Sequence, residues 1–203
     1  MNKIKTISFD LGGVLFTEGK KVAQDVLFRK YGYDKELILK VLKSTKSIEL
    51  RKGLIEDKEF WLWVQNELPK NYDTKIIKKE WYEGYILDED IFNLVKKLKN
   101  KYKLVVFSGN IKSRIEYLDR KYHFRQYFDA EIYSYDYHFN KPDKEFFEIL
   151  IRKSGNKPNE IVHIDNSEKI VSLAKELGIK VLIYQTGSIK ELEKGLSNLG
   201  VKW

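Results

Sequence analysis

The stretch Ile7-Ser8-Phe9-Asp10-Leu11-Gly12-Gly13-Val14-Leu15-Phe16 decides how the rest of the chain is read. An apolar run of strand character delivers one carboxylate, Asp10, to a glycine-rich turn at its C-terminal end. Ligands of open α/β sheets bind beyond the carboxyl ends of the strands, and paired glycines let the backbone come close to a phosphate or a metal. Alone, the run also fits a strand ending in an Asx turn. The downstream sequence decides between the two.

Four further β-rich runs follow: Lys103–Phe107, Ala130–Tyr133, Ile161–Ile164 and Lys180–Tyr184. Between them apolar residues recur at helical spacing, as Ile91, Val95 and Leu98, as Ile111, Ile115 and Leu118, and as Ile170, Ala174 and Leu177. Strands alternating with helices predict an α/β fold with a mainly parallel five-stranded sheet. Gly178 stands where a helix C-cap prefers glycine. The Ser108-Gly109-Asn110 turn precedes a helix over 111–122, so it lies where free backbone N–H groups favour an anion.

No strand signal appears for about 85 residues after the first run, far beyond an ordinary βα connection. That gap predicts an all-helical insert over 18–83, with helices near Val22–Tyr31, Lys35–Lys43, Lys58–Leu68 and Thr74–Gly84, interrupting a core of 1–17 plus 84–203. Trp61, Val64 and Leu68 share a predicted face, as do Leu37, Ile38 and Val41. Phe60, Trp61, Trp63 and Trp81 are expected to form the insert's own core.

Composition narrows the functional classes. A chain of 203 residues accommodates one domain with a substantial insertion. It has no cysteine, which excludes a disulfide framework, a thiolate metal site and a cysteine nucleophile. The net charge of +8 comes from lysines mixed with acids along helical patterns, so a solvated surface is expected rather than a nucleic-acid partner, although anionic substrates would be attracted. No stretch approaches the roughly 18 apolar residues of a membrane span, and a cytoplasmic location without a membrane partner is expected. Oligomeric state is not legible.

Asp10 with Gly12-Gly13, Ser108-Gly109-Asn110, Lys141-Pro142 and Asp165-Asn166-Ser167 follow successive strand-like runs and would converge on one sheet edge. The combination suits phosphoryl transfer. One Asp can attack phosphorus; a hydroxyl, backbone amides and a lysine can neutralise the transferring group; a second carboxylate can hold Mg²⁺. Over nearly its whole length the chain resembles the haloacid dehalogenase (HAD) superfamily, whose four motifs occur in order, with Phe139–Phe147 similar to its lysine-proline motif. The resemblance implies a Rossmann-like core carrying a small helical cap. It further implies Asp10 as a nucleophile that becomes an aspartyl-phosphate, and Asp10, Asp165 and the Gly12 carbonyl as ligands of Mg²⁺. Ser108, Gly109 and Asn110 would hold the phosphoryl oxygens of a small phosphorylated metabolite, and Lys141 would offset charge.

Two positions depart from that pattern. Phosphatases of the superfamily usually carry an acid/base Asp two residues after the nucleophile, where this chain has Gly12. General acid–base help contributes about 10²- to 10⁴-fold, so acidic leaving groups would suffer least. Related subfamilies with a similar Asp-Leu-Gly-Gly motif include sugar-phosphate phosphatases. Asn166 replaces a common second acid, with Glu168 the nearest substitute, and Glu18 is a candidate replacement carboxylate near the first motif. His163, inside a strand, is expected to be a core histidine. Three readings follow: a Mg²⁺-dependent phosphatase, a noncatalytic member binding a phospholigand or partner, and a metal-independent 2-haloacid dehalogenase. Asp165 argues for phosphate chemistry over the last, and Lys169 occupies the position of the dehalogenases' water-activating Asp.

Overall fold

The computed structural model describes residues 3–203; Met1 and Asn2, which open the expected core, lie outside the described residues. Strand β1 (Thr6–Phe9) is followed by five helices, α1 (Gly19–Tyr31), α2 (Lys35–Leu42), α3 (Thr45–Arg51), α4 (Asp57–Glu67) and α5 (Thr74–Glu83). The chain then alternates through α6 (Glu89–Leu98), β2 (Lys103–Ser108), α7 (Lys112–Tyr122), β3 (Ala130–Tyr133), the single turn α8 (Ser134–Tyr137), α9 (Lys144–Ser154), β4 (Ile161–Asp165), α10 (Glu168–Glu176), β5 (Lys180–Ile183) and α11 (Ile189–Asn198). All five predicted strands are present, and every pairing in the order β3-β2-β1-β4-β5 is parallel, so the sheet is wholly rather than mainly parallel.

Side-chain alternation along the strands divides the apolar interior into two layers. Ile7, Phe9, Leu104, Val106, Val162 and Ile164 pack on the face covered by α6, α7 and α11. Val105, Phe107, Ile132 and Ile161 face α9 and α10 through Phe146, Phe147, Leu150, Ile170 and Ala174. On that second face β1 presents Ser8 and β4 presents His163, both fully buried. Because β1 lies at the centre and its neighbours run the same way, the C-terminal ends of β1, β2 and β4 adjoin. This is the crevice at which such sheets bind ligands.

Between β1 and β2 the insert contains helices and no strand, as the missing strand signal predicts. Asp34 and Asp73 cap α2 and α5 by accepting the Leu37 and Lys75 N–H groups. Helix α3 is not among the predicted helices; Ser44 caps it by accepting the Ser47 N–H. In α4 the fully buried pair is Phe60 and Val64, with Trp61 and Trp63 partly buried, so the inward face is turned about one residue from the predicted Trp61-Val64-Leu68 line. Trp81 is fully buried, its ring centroid 6.2 Å from that of Phe60 and 6.1 Å from that of Trp61. This aromatic cluster is buried, but it is continuous with the apolar layer on the first face of the sheet rather than a core of the insert's own.

The two chain crossings into and out of the insert are tied together. Thr17 donates its N–H to the Ile86 carbonyl at 2.9 Å, and Asp88 donates to the Leu15 carbonyl at 2.9 Å. The Thr17 hydroxyl donates to the Gly84 carbonyl and accepts the Ile86 N–H at 3.0 Å. Among the described residues no helix is long and apolar enough to cross a membrane.

Candidate active site

Asp10 follows the last residue of β1, Ser108 ends β2 and Asp165 ends β4. The register that pairs Phe9 with both Val106 and Ile164 sets Asp10 level with the ends of its two neighbours, and the Asp10 N–H bonds the Ile164 carbonyl at 3.0 Å. Lys141 does not follow a strand directly, contrary to the sequence reading: it sits in the loop between α8 and α9. Its side chain nevertheless reaches the sheet edge, with Nζ 3.0 Å from Asp10 Oδ1 and 2.6 Å from Asp165 Oδ2.

This lysine between two carboxylates sets the local electrostatics. Burial pushes the Asp10 carboxyl above the ordinary aspartate value; Lys141 opposes the shift and Asp165 adds to it. Burial alone would raise Asp165 as well, but the Lys141 ammonium and the His163 contact outweigh it and hold that carboxyl well below the usual range. Burial likewise disfavours the charged form of Lys141, and the two carboxylates overcome it, so the ammonium persists.

Asp165 is held from three directions. Its Oδ1 accepts the Ser167 N–H at 2.9 Å, and its Oδ2 lies 3.2 Å from His163 Nε2 as well as beside Lys141. His163 Nδ1 is 2.9 Å from the Ser8 hydroxyl, its register partner on β1. A Ser8 O–H donated to Nδ1 leaves the proton on Nε2, pointing at the carboxylate. His163 is therefore a support for Asp165 as well as a core residue. Its spacing two residues before Asp165 on a strand, which puts both on one face, is the signal that could have revealed this.

The glycine turn brings backbone up to the site. Gly13 has φ +85°, a conformation that favours glycine, and a Cβ there would stand 2.2 Å from Asn166 Nδ2. The turn closes through Gly13 N–H to the Phe16 carbonyl and Phe16 N–H to the Leu11 carbonyl, at 2.6 and 2.8 Å. Among the described residues the Gly12 carbonyl accepts no backbone hydrogen bond within this turn. At the end of β2, Ser108 and Asn110 are both buried. Asn110 Oδ1 accepts the Ile111 N–H at 2.9 Å and Arg114 Nε at 2.8 Å, while its Nδ2 reaches only the Ser108 hydroxyl, at 3.5 Å. A donor amide and a hydroxyl thus stand beside Asp10 at the approach to α7.

A cleft of about 400 Å³ opens over this edge, lined on the core side by Asp10, Gly12, Ser108, Gly109, Asn110 and Asn166. Lys141 and Asp165 lie behind Asp10, out of the lining. The opposite wall carries Gly19, Lys20, Arg51 and Tyr85, which sequence reasoning missed. Glu18 also lines the cleft, but its carboxylate is engaged by Lys21 Nζ at 2.9 Å and Asn166 Nδ2 at 3.4 Å. Glu168 is exposed in the first turn of α10 and does not line the cleft.

Among the described residues no group of three or more His, Cys, Asp or Glu side chains is arranged to hold a metal. The donor set is two carboxylates and the unpartnered Gly12 carbonyl. All are hard oxygens, and Mg²⁺ is commonly held by one or two carboxylates with water and substrate phosphate completing the shell. The residues present fit that ion.

A family model described as haloacid dehalogenase-like hydrolase matches residues 4–178. An uncharacterized protein of Dictyostelium discoideum is 43% identical over 227 aligned positions, covering 98% of both chains. Enolase-phosphatase E1 of Aquifex aeolicus is 25% identical, covering 88% of this chain and 89% of its own. The crystal structure of a HAD family enzyme of Bacteroides thetaiotaomicron, in complex with magnesium and inorganic phosphate, superposes with a TM-score of 0.73 at 25% identity, covering 91% of this chain and 96% of that one.

Proposed function

The chain belongs to the haloacid dehalogenase-like hydrolase family, and within it we propose a Mg²⁺-dependent phosphomonoesterase acting on a small phosphorylated metabolite. The observation that carries this reading is Asp10, with Lys141 and Asp165 held behind it, in the wall of a cleft lined by Ser108, Gly109 and Asn110. An anion-accepting rim beside a carboxylate nucleophile, with hard oxygen donors next to it, suits phosphorus better than a haloalkyl carbon. The magnesium and phosphate bound to the B. thetaiotaomicron relative support the same choice.

In this mechanism Asp10, Asp165 and the Gly12 carbonyl would hold Mg²⁺, which would supply charge neutralisation at the phosphoryl oxygens. Asp10 attacks phosphorus, the bond to the leaving oxygen breaks, and an aspartyl-phosphate forms. Water then attacks that phosphorus, releasing phosphate and restoring the carboxylate. Ser108, the Gly109 amide and Asn110 orient the phosphoryl oxygens, and Lys141 offsets the charge that builds between nucleophile and phosphate. Gly12 offers no proton to the leaving oxygen, so esters with acidic leaving groups are the favoured substrates. Residues 18–83 act as a cap over the core of 1–17 and 84–203, whose opening admits substrate and whose closure keeps water from the aspartyl-phosphate until hydrolysis.

The test is phosphate release from aryl, sugar and nucleotide phosphates, with Mg²⁺ and with chelator, using Asp10→Asn as the blank. Release that requires both Mg²⁺ and Asp10 is expected. No release from folded protein across the panel refutes the phosphatase reading in favour of a phospholigand-binding member. Metal-independent halide release from a 2-haloacid would make it a dehalogenase.

A further inference from the structure

We infer that the substrate carries a second anionic group, a carboxylate or phosphate on its leaving portion, held by Lys20 and Arg51 on the insert side of the cleft. The inference rests on the phosphomonoesterase reading for the place of the first phosphate, which in that reading the core-side donors Ser108, Gly109 and Asn110 serve. Lys20 and Arg51 line the facing wall, and among the described residues neither has a carboxylate ion-pair partner. Arg51 donates only to Ser47, from Nε to the carbonyl at 3.0 Å and from Nη2 to the hydroxyl at 3.4 Å.

A third cation, Arg114, adds charge from the interior. It is 1% exposed, stacks its guanidinium 4.3 Å from the Tyr85 ring and 4.7 Å from the Trp81 ring, and leaves Nη1 without a hydrogen-bond partner. The like charges are mutually unfavourable. Burial, then Arg51, Arg114 and Lys43, push the Lys20 ammonium down to about 6, with Glu18 a weaker opposing influence. Burial likewise lowers Arg51 to about 10, against the Tyr85 phenol and together with Arg114. Near neutral pH, with no anion beside it, Lys20 is therefore mostly the neutral amine, and Arg51 with the buried Arg114 carries the positive charge of this wall. An anion that arrives with the ligand favours the protonated form of Lys20 and pairs with Arg51 on the same wall, and the cleft is large enough for a metabolite with groups at both ends.

Calorimetric titration of the full chain with Mg²⁺ tests this without turnover. The probes are phosphonoacetate and its two next longer homologues, each against the alkylphosphonate of matching length, in which a methyl replaces the carboxylate. At least one pair should differ by about tenfold or more, the scale of one charge-assisted contact. Lys20→Met and Arg51→Met should each shrink that ratio toward one, and without ligand Lys20→Met should melt no lower than the parent below about pH 6, where it removes a charge that Arg51, Arg114 and Lys43 repel. Lys20→Gln repeats the test should the methionine variant misfold. Equal affinities in every pair, no phosphonate binding at all, or a preference that survives both substitutions overturns the inference. Mg²⁺-dependent phosphate release with equal phosphonate affinities removes this inference alone. A charge preference lost in the variants, without any turnover, removes the hydrolase reading and leaves the anion pocket.

Discussion

Replacing Lys141 by methionine removes the one cation between Asp10 and Asp165 while keeping the side-chain stem. Lys141 Nζ lies 3.0 and 2.6 Å from the two carboxylates, and the lysine and Asp165 side chains are only 8% and 1% exposed. Removing one partner from a buried ion pair costs about 3–5 kcal/mol, because the remaining charge stays buried and uncompensated. In a chain of this size one kcal/mol corresponds to roughly 2–4 °C in melting temperature, so a fall on the order of 10 °C is expected at neutral pH. The pH dependence gives the sign. In the parent, Asp165 is held below the unfolded value of about 3.9, and the stability this provides is present above that pH and lost as pH falls through its folded value. In the variant, burial and mutual repulsion raise both carboxyls instead, so stability declines as pH rises above the unfolded value. The gap between parent and variant therefore opens as pH rises through the folded Asp165 value, is already present near about pH 4, and widens further toward about pH 7.5 as the variant's raised carboxyls destabilise it. Melting curves in chelator across that range test it. A gap below about 1 kcal/mol at neutral pH, or one that does not change with pH, refutes the electrostatic account of the triad. Mg²⁺ should restore part of the variant's lost stability, since a cation held by the same two carboxylates replaces the missing charge.

Two other substitutions probe the rim and the support. A Cβ at Gly12 would stand 3.3 Å from Tyr85 Cε1, and that ring is confined by Gly19 on one side and the Arg114 guanidinium, 4.3 Å away, on the other. Gly12→Asp alone should therefore melt lower by about 1–3 kcal/mol and gain less on alkyl phosphates than Gly12→Asp with Tyr85→Leu; equal rates for the single and double variants would contradict this crowding. His163→Leu leaves Asp165 and Ser8 each short of a partner, which should cost about 1–3 kcal/mol and weaken Mg²⁺ affinity about 10- to 100-fold. A magnesium-induced melting shift identical to the parent's would show that His163 serves packing alone.

The local sequence determined the strands and the ends at which chemistry sits. Short β-rich runs closing on Asp10, Ser108 and Asp165 need only a window of a few residues, and an all-parallel sheet then brings those ends to one edge. The strandless interval was enough to announce the run of helices between β1 and β2, and the aromatic residues of 60–81 announced burial but not their continuity with the sheet-face core. Other features depended on long-range packing. Ser8 becomes the partner of His163 only through the β1–β4 register, and Lys141 reaches the carboxylates from a loop that follows no strand. Lys20 lies in the first turn of α1 and Arg51 at the end of α3, and they share a cleft wall only because the insert folds back over the sheet edge. Helix packing is fixed by apolar contacts distributed over many residues, whereas the charged side chains it brings to the cleft carry no periodic signature. The tertiary structure alone therefore decided which basic side chains line the cleft across from Asp10.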